Sequence, residues 1–205
     1  MSSDAAGTPL LAADNLSLTR GGRDLFSGLS LQVARGQLWQ VEGENGAGKT
    51  SLLRILAGLS RFGYEGVVTR AMNPLYLGHH SAVKALLSPR ENLAWHPSGQ
   101  ADYAQADIDD ALAKVGLYGY EGLPCHSLSA GQQRRVNLAR LYLSDNPLWI
   151  LDEPFTAIDH AGVAALQARF AQHIAEGGAV LVTSHQVLEV DCEVHRIVVG
   201  VGAAA

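Results

Sequence analysis

The chain has only two cysteines in 205 residues, Cys125 and Cys192, in no CxxC or metal-ligand spacing. That excludes a disulfide framework and a cysteine zinc site, and it suits a reducing compartment. Basic residues are also scarce: 15 Lys plus Arg stand against 20 Asp plus Glu, a formal net charge of −5. A broad nucleic-acid-binding face needs the opposite balance. No apolar stretch approaches the roughly 20 residues that a membrane-spanning helix requires. The last apolar run, 197–205, is too short. The first thirteen residues lack a basic n-region and contain Asp4, so no targeting signal is expected there. Internal repeats and low-complexity tracts do not stand out either. What is present is 47% hydrophobic residues, enough for a substantial core, and 22 glycines. The length fits one domain with room for a subdomain.

Several of those glycines gather in the stretch that organises the chain: Gly43, Glu44, Asn45, Gly46, Ala47, Gly48, Lys49 and Thr50. Before it runs Leu38, Trp39, Gln40 and Val41, a buried strand by composition. After it comes a helical run, 51–57, that Gly58 ends. Strand, Gly-rich turn and helix form the setting of a phosphate-binding P-loop. Without Cβ atoms in the way, backbone N–H groups converge on phosphate oxygens, and the helix N-terminus adds partial positive charge. Lys49 supplies a full charge for β- and γ-phosphates. The Thr50 hydroxyl is placed to ligate Mg²⁺.

Upstream, 16–41 alternates short β-like runs with turns at Gly21-Gly22 and Gly36, and Leu29, Leu31 and Val33 recur at period two. This predicts an antiparallel β layer leading into the P-loop strand, with Arg20 just before its first turn. Residues 64–69 and 75–77 read as two more strands, the second ending at His79-His80, where an open α/β sheet meets ligands. From 88 to 143 the periodicity is helical, broken by Pro89, Pro97, Gly99 and Pro124. Ile108, Leu112 and Val115 fall at i, i+4, i+7 before Gly116. An inserted α-helical subdomain is expected there, about 88–143, within a single domain whose core takes about 1–87 and 144–205.

Leu128, Ser129, Ala130, Gly131, Gln132 and Gln133 precede another helical run, 134–143. Ser129 suits an N-cap, which makes the helix start an anion site. Leu148, Trp149, Ile150 and Leu151 then form a buried parallel strand ending in Asp152 and Glu153. Beside a P-loop, Asp152 suits Mg²⁺ held through water. Glu153 suits the attacking water, as its base and orienter. A further apolar strand, 179–183, ends in Ser184 and His185, which reads as a γ-phosphate contact on the same sheet edge.

In this order the residues resemble the nucleotide-binding domain of ABC transporters. Walker A is 43–50, the signature 128–132, Walker B 148–152 with Glu153, the D-loop 157–159, and the H-loop His185. More narrowly, Leu25-Phe26-Ser27-Gly28-Leu29, the stretch 46–59, Tyr76-Leu77-Gly78-His79 and 152–159 resemble the ATP-binding subunits of cytochrome c biogenesis systems. The resemblance implies an α/β P-loop ATPase core that hydrolyses ATP with Mg²⁺. It also implies a head-to-tail homodimer in the ATP-bound state, with Ser129, Gly131, Gln132 and Asp159 of one copy covering the nucleotide of the other. Partners would be integral membrane subunits of a Ccm-type complex, with haem delivery as the process. The chain would be peripheral on the cytoplasmic face of the inner membrane, with no nucleic acid and no direct lipid insertion.

Two positions depart from the ABC pattern. Arg20 stands where an aromatic residue usually stacks on adenine; a guanidinium either stacks by its flat face or is a solvated loop charge. His80 stands where the family has glutamine, and imidazole is a softer ligand for Mg²⁺ than an amide oxygen. Three other readings stay open beside the cytochrome c one: the ATPase of another small exporter, a soluble ABC protein acting on nucleic acid or ribosomes, and a nucleotide-sensing interaction module with negligible turnover.

Overall fold

The computed structural model describes residues 8–95 and 103–200. The breakers Pro97 and Gly99, residues 1–7 and the end of the last apolar run, 201–205, lie outside the described residues. The chain divides into two compact units. The first takes the described parts of 1–79, 146–154 and 167–205; the second takes those of 80–145 and 155–166.

Two sheets make the first unit. Strands β1 (Leu11–Arg20), β2 (Arg23–Val33) and β4 (Glu65–Arg70) pair antiparallel in the order β2-β1-β4. Strand β1 starts five residues earlier than the turn pattern suggested. Its polar pair Asp14-Asn15 breaks the alternation because Asn15 sits at φ 51°, where the register shifts. The alternation expected on β2 is present, with Leu29, Leu31 and Val33 all buried. The run expected at 64–69 is β4, and it joins this sheet along the free edge of β1.

The second sheet is parallel: β5 (Leu75–Leu77), β6 (Leu148–Asp152), β7 (Ala179–Thr183), β3 (Leu38–Glu42) and β8 (Val194–Val198), in that order. β6 and β7 are buried at every position, as expected of strands covered on both faces. Between the sheets, α1 (Lys49–Leu56) buries Leu52, Leu53, Ile55 and Leu56 in a core shared with Leu16, Phe26, Val41, Ile150 and Leu181. Burying one such side chain stabilises the fold by about 1.5–3 kcal/mol. Arg70 on β4 donates to the carbonyls of Ile55 and Leu56, closing the C-terminus of α1. Arg70 thus ties the C-terminal end of the P-loop helix to β4.

The second unit is helical: α2 (Pro89–Ala94), α3 (Gln105–Lys114) and α4 (Ala130–Ala139) pack around Leu93, Ile108, Leu112, Leu117, Cys125 and Val136. α2 opens with a capping box between Ser88 and Glu91. α4 gives way to a tight 3-10 turn at Arg140–Tyr142. α5 (His160–Ala175) follows β6, counts with this unit up to Leu166 and with the first unit from Gln167, and buries Leu166, Phe170 and Ile174, a spacing of four. Both cysteines are free thiols, and burial pushes each of them up from its usual pKa.

Candidate active site

The turn at 43–50 leaves β3 and enters α1. Gly43, Gly46 and Gly48 hold φ of 146°, 83° and 104°, values that L side chains avoid. A Cβ on Gly43 would lie 2.4 Å from the Val199 carbonyl oxygen, and one on Gly48 would lie 3.1 Å from Leu25 Cβ. These glycines thus answer to space as well as conformation. Gly48, at the N-cap of α1, has no side chain to satisfy the first N–H groups, which leaves them for an anion. Lys49 Nζ donates to the carbonyls of Gly43 (2.7 Å) and Glu44 (3.2 Å), folding over its own loop. Thr50, Glu44, Asn45 and Gly46 are exposed.

Asp152 ends β6 and is buried; Glu153 follows it in a left-handed conformation, φ 49°. That turn carries the Glu153 carboxylate out of the line of the strand. His185 Nε2 lies 3.4 Å from Glu153 Oε1. Thr183, the last residue of β7, stands opposite Asp152 in the parallel ladder. Its hydroxyl donates to Asp152 Oδ1 at 2.8 Å and accepts the Glu153 N–H at 2.8 Å. Buried Gln40 on β3 donates from Nε2 to the carbonyls of Ser184 and Gln186, both at 3.3 Å. It clamps the turn that bears His185.

The Thr50 hydroxyl and the Asp152 carboxylate are hard oxygen donors of the kind Mg²⁺ prefers. Among the described residues no three His, Cys, Asp or Glu side chains converge as a metal cluster. A nucleotide-borne Mg²⁺ fits such a site, since it usually takes one or two protein ligands and draws the rest from phosphate and water. Arg20 is exposed at the end of β1, across a tight turn (Gly21 φ 57°, Gly22 φ 76°) from Arg23.

The remaining candidates belong to the second unit. His80 is exposed just past β5. Ser129 caps α4 in a reciprocal box: its Oγ accepts from Gln132 N–H (3.2 Å), and Gln132 Oε1 accepts from Ser129 N–H (2.9 Å). The cap expected at Ser129 is present, and the helix begins at Ala130, four residues before the expected run. A Cβ on Gly131 would lie 2.6 Å from the Ala157 carbonyl oxygen, and Ala157 itself holds φ 63°. Asp159 Oδ1 accepts from Gly162 N–H (3.0 Å) and from Arg135 (2.8 Å), and these hold its carboxyl below the usual carboxylate range. Arg135 was not singled out from the sequence. A helical arginine six residues past a cap reads as a solvated charge until 157–159 is placed beside it.

The family profile described as ABC transporter matches residues 26–156. The chain belongs to the ABC transporter family. Curated relatives include the cytochrome c biogenesis ATP-binding export protein CcmA of Yersinia pestis, 53% identical over 190 residues, 87% of this chain and 87% of that protein. The protein of the same name from Methylococcus capsulatus is 50% identical, covering 89% of this chain and 95% of its own length. The Hahella chejuensis one is 48% identical over 94% and 97%. Among solved structures, the ATP-binding subunit of an ABC transporter matches with a TM-score of 0.76 at 22% identity, covering 86% of this chain and 79% of that one. A dimeric ATP-binding cassette with ADP and Pi matches at 0.75 and 20% identity, covering 86% and 88%. The α/β P-loop fold expected from the sequence is thus the ABC ATPase fold.

The first unit carries 43–50, Asp152, Glu153 and His185, and the second carries 128–132 and 157–159. Two polar residues in the first unit went unnoticed in the sequence, Gln40 and Thr183. Both lie in apolar strand runs, where a single polar residue gives no periodic signal.

Proposed function

We propose that the chain is the ATP-hydrolysing subunit of an ABC-type membrane complex serving haem delivery in c-type cytochrome biogenesis. The observation that carries this reading is the similarity, near half identity over about nine-tenths of the chain, to cytochrome c biogenesis ATP-binding export proteins. The P-loop and the Glu153–His185 pair supply the matching chemistry.

On this reading the phosphates of ATP lie among the N–H groups of 43–50. Lys49 exchanges its contacts with the Gly43 and Glu44 carbonyls for the β- and γ-phosphate oxygens. Glu153 orients water for in-line attack and takes its proton, while His185 steadies the Glu153 carboxylate and reaches the γ-phosphate. Mg²⁺, when bound by Thr50 and Asp152, offsets the charge that develops on the phosphates. His80 would add a nitrogen to that set. Arg20 would pack its guanidinium on the base. In a head-to-tail homodimer, Ser129, Gly131, Gln132 and Asp159 of the second copy would close over the nucleotide.

Among the described residues no helix is long and apolar enough to cross a membrane. Attachment to the cytoplasmic face of the inner membrane would therefore run through integral subunits of a Ccm-type complex. The test is complementation. In a host deleted for its own such subunit, the wild-type chain should restore haem-staining c-type cytochromes, and Lys49→Ala should not. A wild-type chain that is expressed and hydrolyses ATP, yet restores none, would contradict the assignment to this process.

A further inference from the structure

Thr183 ends β7 with its side chain fully buried, beside the two carboxylates of the catalytic strand end. A hydroxyl has one proton to give and lone pairs to receive. Here both capacities are used, and both on the same dipeptide. The proton goes to Asp152 Oδ1, and the oxygen accepts the Glu153 N–H, each at 2.8 Å. The parallel register of β6 and β7, with Asp152 opposite Thr183, brings these atoms together.

The second bond falls at a demanding point of the backbone. Glu153 holds φ 49°, a left-handed conformation that is costly for a residue with a long side chain and persists only where its surroundings over-determine it. The Thr183 hydroxyl holds the N–H on the strand side of that turn. Two residues on, His185 meets the Glu153 carboxylate at 3.4 Å. The end of β7 thus grips Glu153 at backbone and carboxylate, and fixes the neighbouring Asp152 carboxylate as well.

We propose that Thr183 is a positioning residue for ATP hydrolysis: its hydroxyl aims Glu153 at water and orients Asp152 for the Mg²⁺ of the nucleotide. Thr183 touches neither ATP nor water in this account and acts through the two carboxylates. A β-branched apolar residue of the same shape would fill the space and lose both bonds. The small left-handed turn at Glu153 would then relax, moving the carboxylate off line, while the P-loop, which binds the phosphates, would keep its geometry. The proposal rests on the ATPase reading.

Thr183→Val, Thr183→Ser and Thr183→Cys separate the roles. Steady-state phosphate release gives kcat, KM and the Mg²⁺ concentration for half-maximal rate; calorimetry in EDTA gives nucleotide affinity without metal. Thr183→Val should lose 10- to 100-fold in kcat, raise the half-saturating Mg²⁺ concentration, and keep metal-free ATP affinity within about twofold. Thr183→Ser, which restores both bonds, should stay within about threefold of wild type on every measure. Should Thr183→Val fail to fold, Thr183→Cys decides: its weak donor and acceptor should cost at least fivefold in kcat at unchanged metal-free affinity. A kcat within twofold of wild type in Thr183→Val, or in Thr183→Cys if only that variant folds, would overturn the proposal. So would a loss in Thr183→Ser as large as in Thr183→Val. Absence of turnover in the wild-type chain would instead count against the ATPase reading itself.

Discussion

His173 gives the fold a measurable acid sensitivity. Its ring lies face to face with Trp149 of β6, centroids 3.6 Å apart and planes 5° from parallel. Arg169 lies 5.0 Å over the same indole, and Gly178 leaves no room beyond: a Cβ there would sit 2.2 Å from His173 Nε2. Burial first, and then the positive charge of Arg169, lower the imidazole to about 4, against the pull of the Pro147 backbone and Glu176. The unfolded chain releases that proton near 6.5. Between these values the unfolded state binds more protons than the folded one, so stability is whole above 6.5 and falls as pH drops toward 4. From pH 7.5 to pH 5.0 the two pKa values give a loss of about 2 kcal/mol, somewhat less if the ring is partly hydrated. For a chain of this size that lowers the midpoint of thermal unfolding by roughly 4–8 °C. The assay is Tm by circular dichroism across that range, for wild type and for His173→Phe, which keeps a flat ring on Trp149 and cannot titrate. The variant should lose less than wild type over the same interval, by about that amount. Parallel curves would refute the reasoning.

Lys49→Ala removes the charge at the P-loop; a charge-assisted contact is worth about 2–3 kcal/mol, so calorimetry should find ATP affinity down roughly 30- to 150-fold with Tm little changed. Equal affinity would mean that the phosphates are bound elsewhere. Gly131→Ala sets a methyl 2.6 Å from the Ala157 carbonyl oxygen. Displacing 157–159 by such overpacking costs about 1–3 kcal/mol, and hydrolysis should drop at least fivefold while ATP binding to the P-loop is kept. Unchanged turnover would show that this close approach does not matter to the reaction.

What could be read in advance was what is local in the chain. The P-loop announces itself because its glycines, Lys49 and Thr50 are consecutive, and because an apolar run and a helical run flank them. Ser129 as a cap and Asp152-Glu153 at a strand end are equally short-range. The positioning residues were not legible because their partners are distant. Thr183 reads as one more β-branched strand residue until β7 is laid against β6, and Gln40 as a flaw in an apolar run until Ser184 and Gln186 arrive from 144 and 146 residues away. The first half of β1 was hidden by Asp14-Asn15, which look like a turn and are a bulge. Leu166, Phe170 and Ile174 did carry the period of α5, a signal overshadowed by the motifs on either side.

The central claim, that this chain hydrolyses ATP with Glu153 as the group that activates water, is met most directly by one comparison. Single-turnover hydrolysis and equilibrium binding of ATP are measured on wild type and Glu153→Gln in the presence of Mg²⁺. The amide keeps the size and the backbone bond to Thr183 but cannot take a proton, and general-base catalysis is worth roughly 10²–10⁴ in rate. Glu153→Gln should bind ATP as tightly as wild type and hydrolyse it at least a hundredfold more slowly. Hydrolysis by Glu153→Gln at the wild-type rate would contradict it.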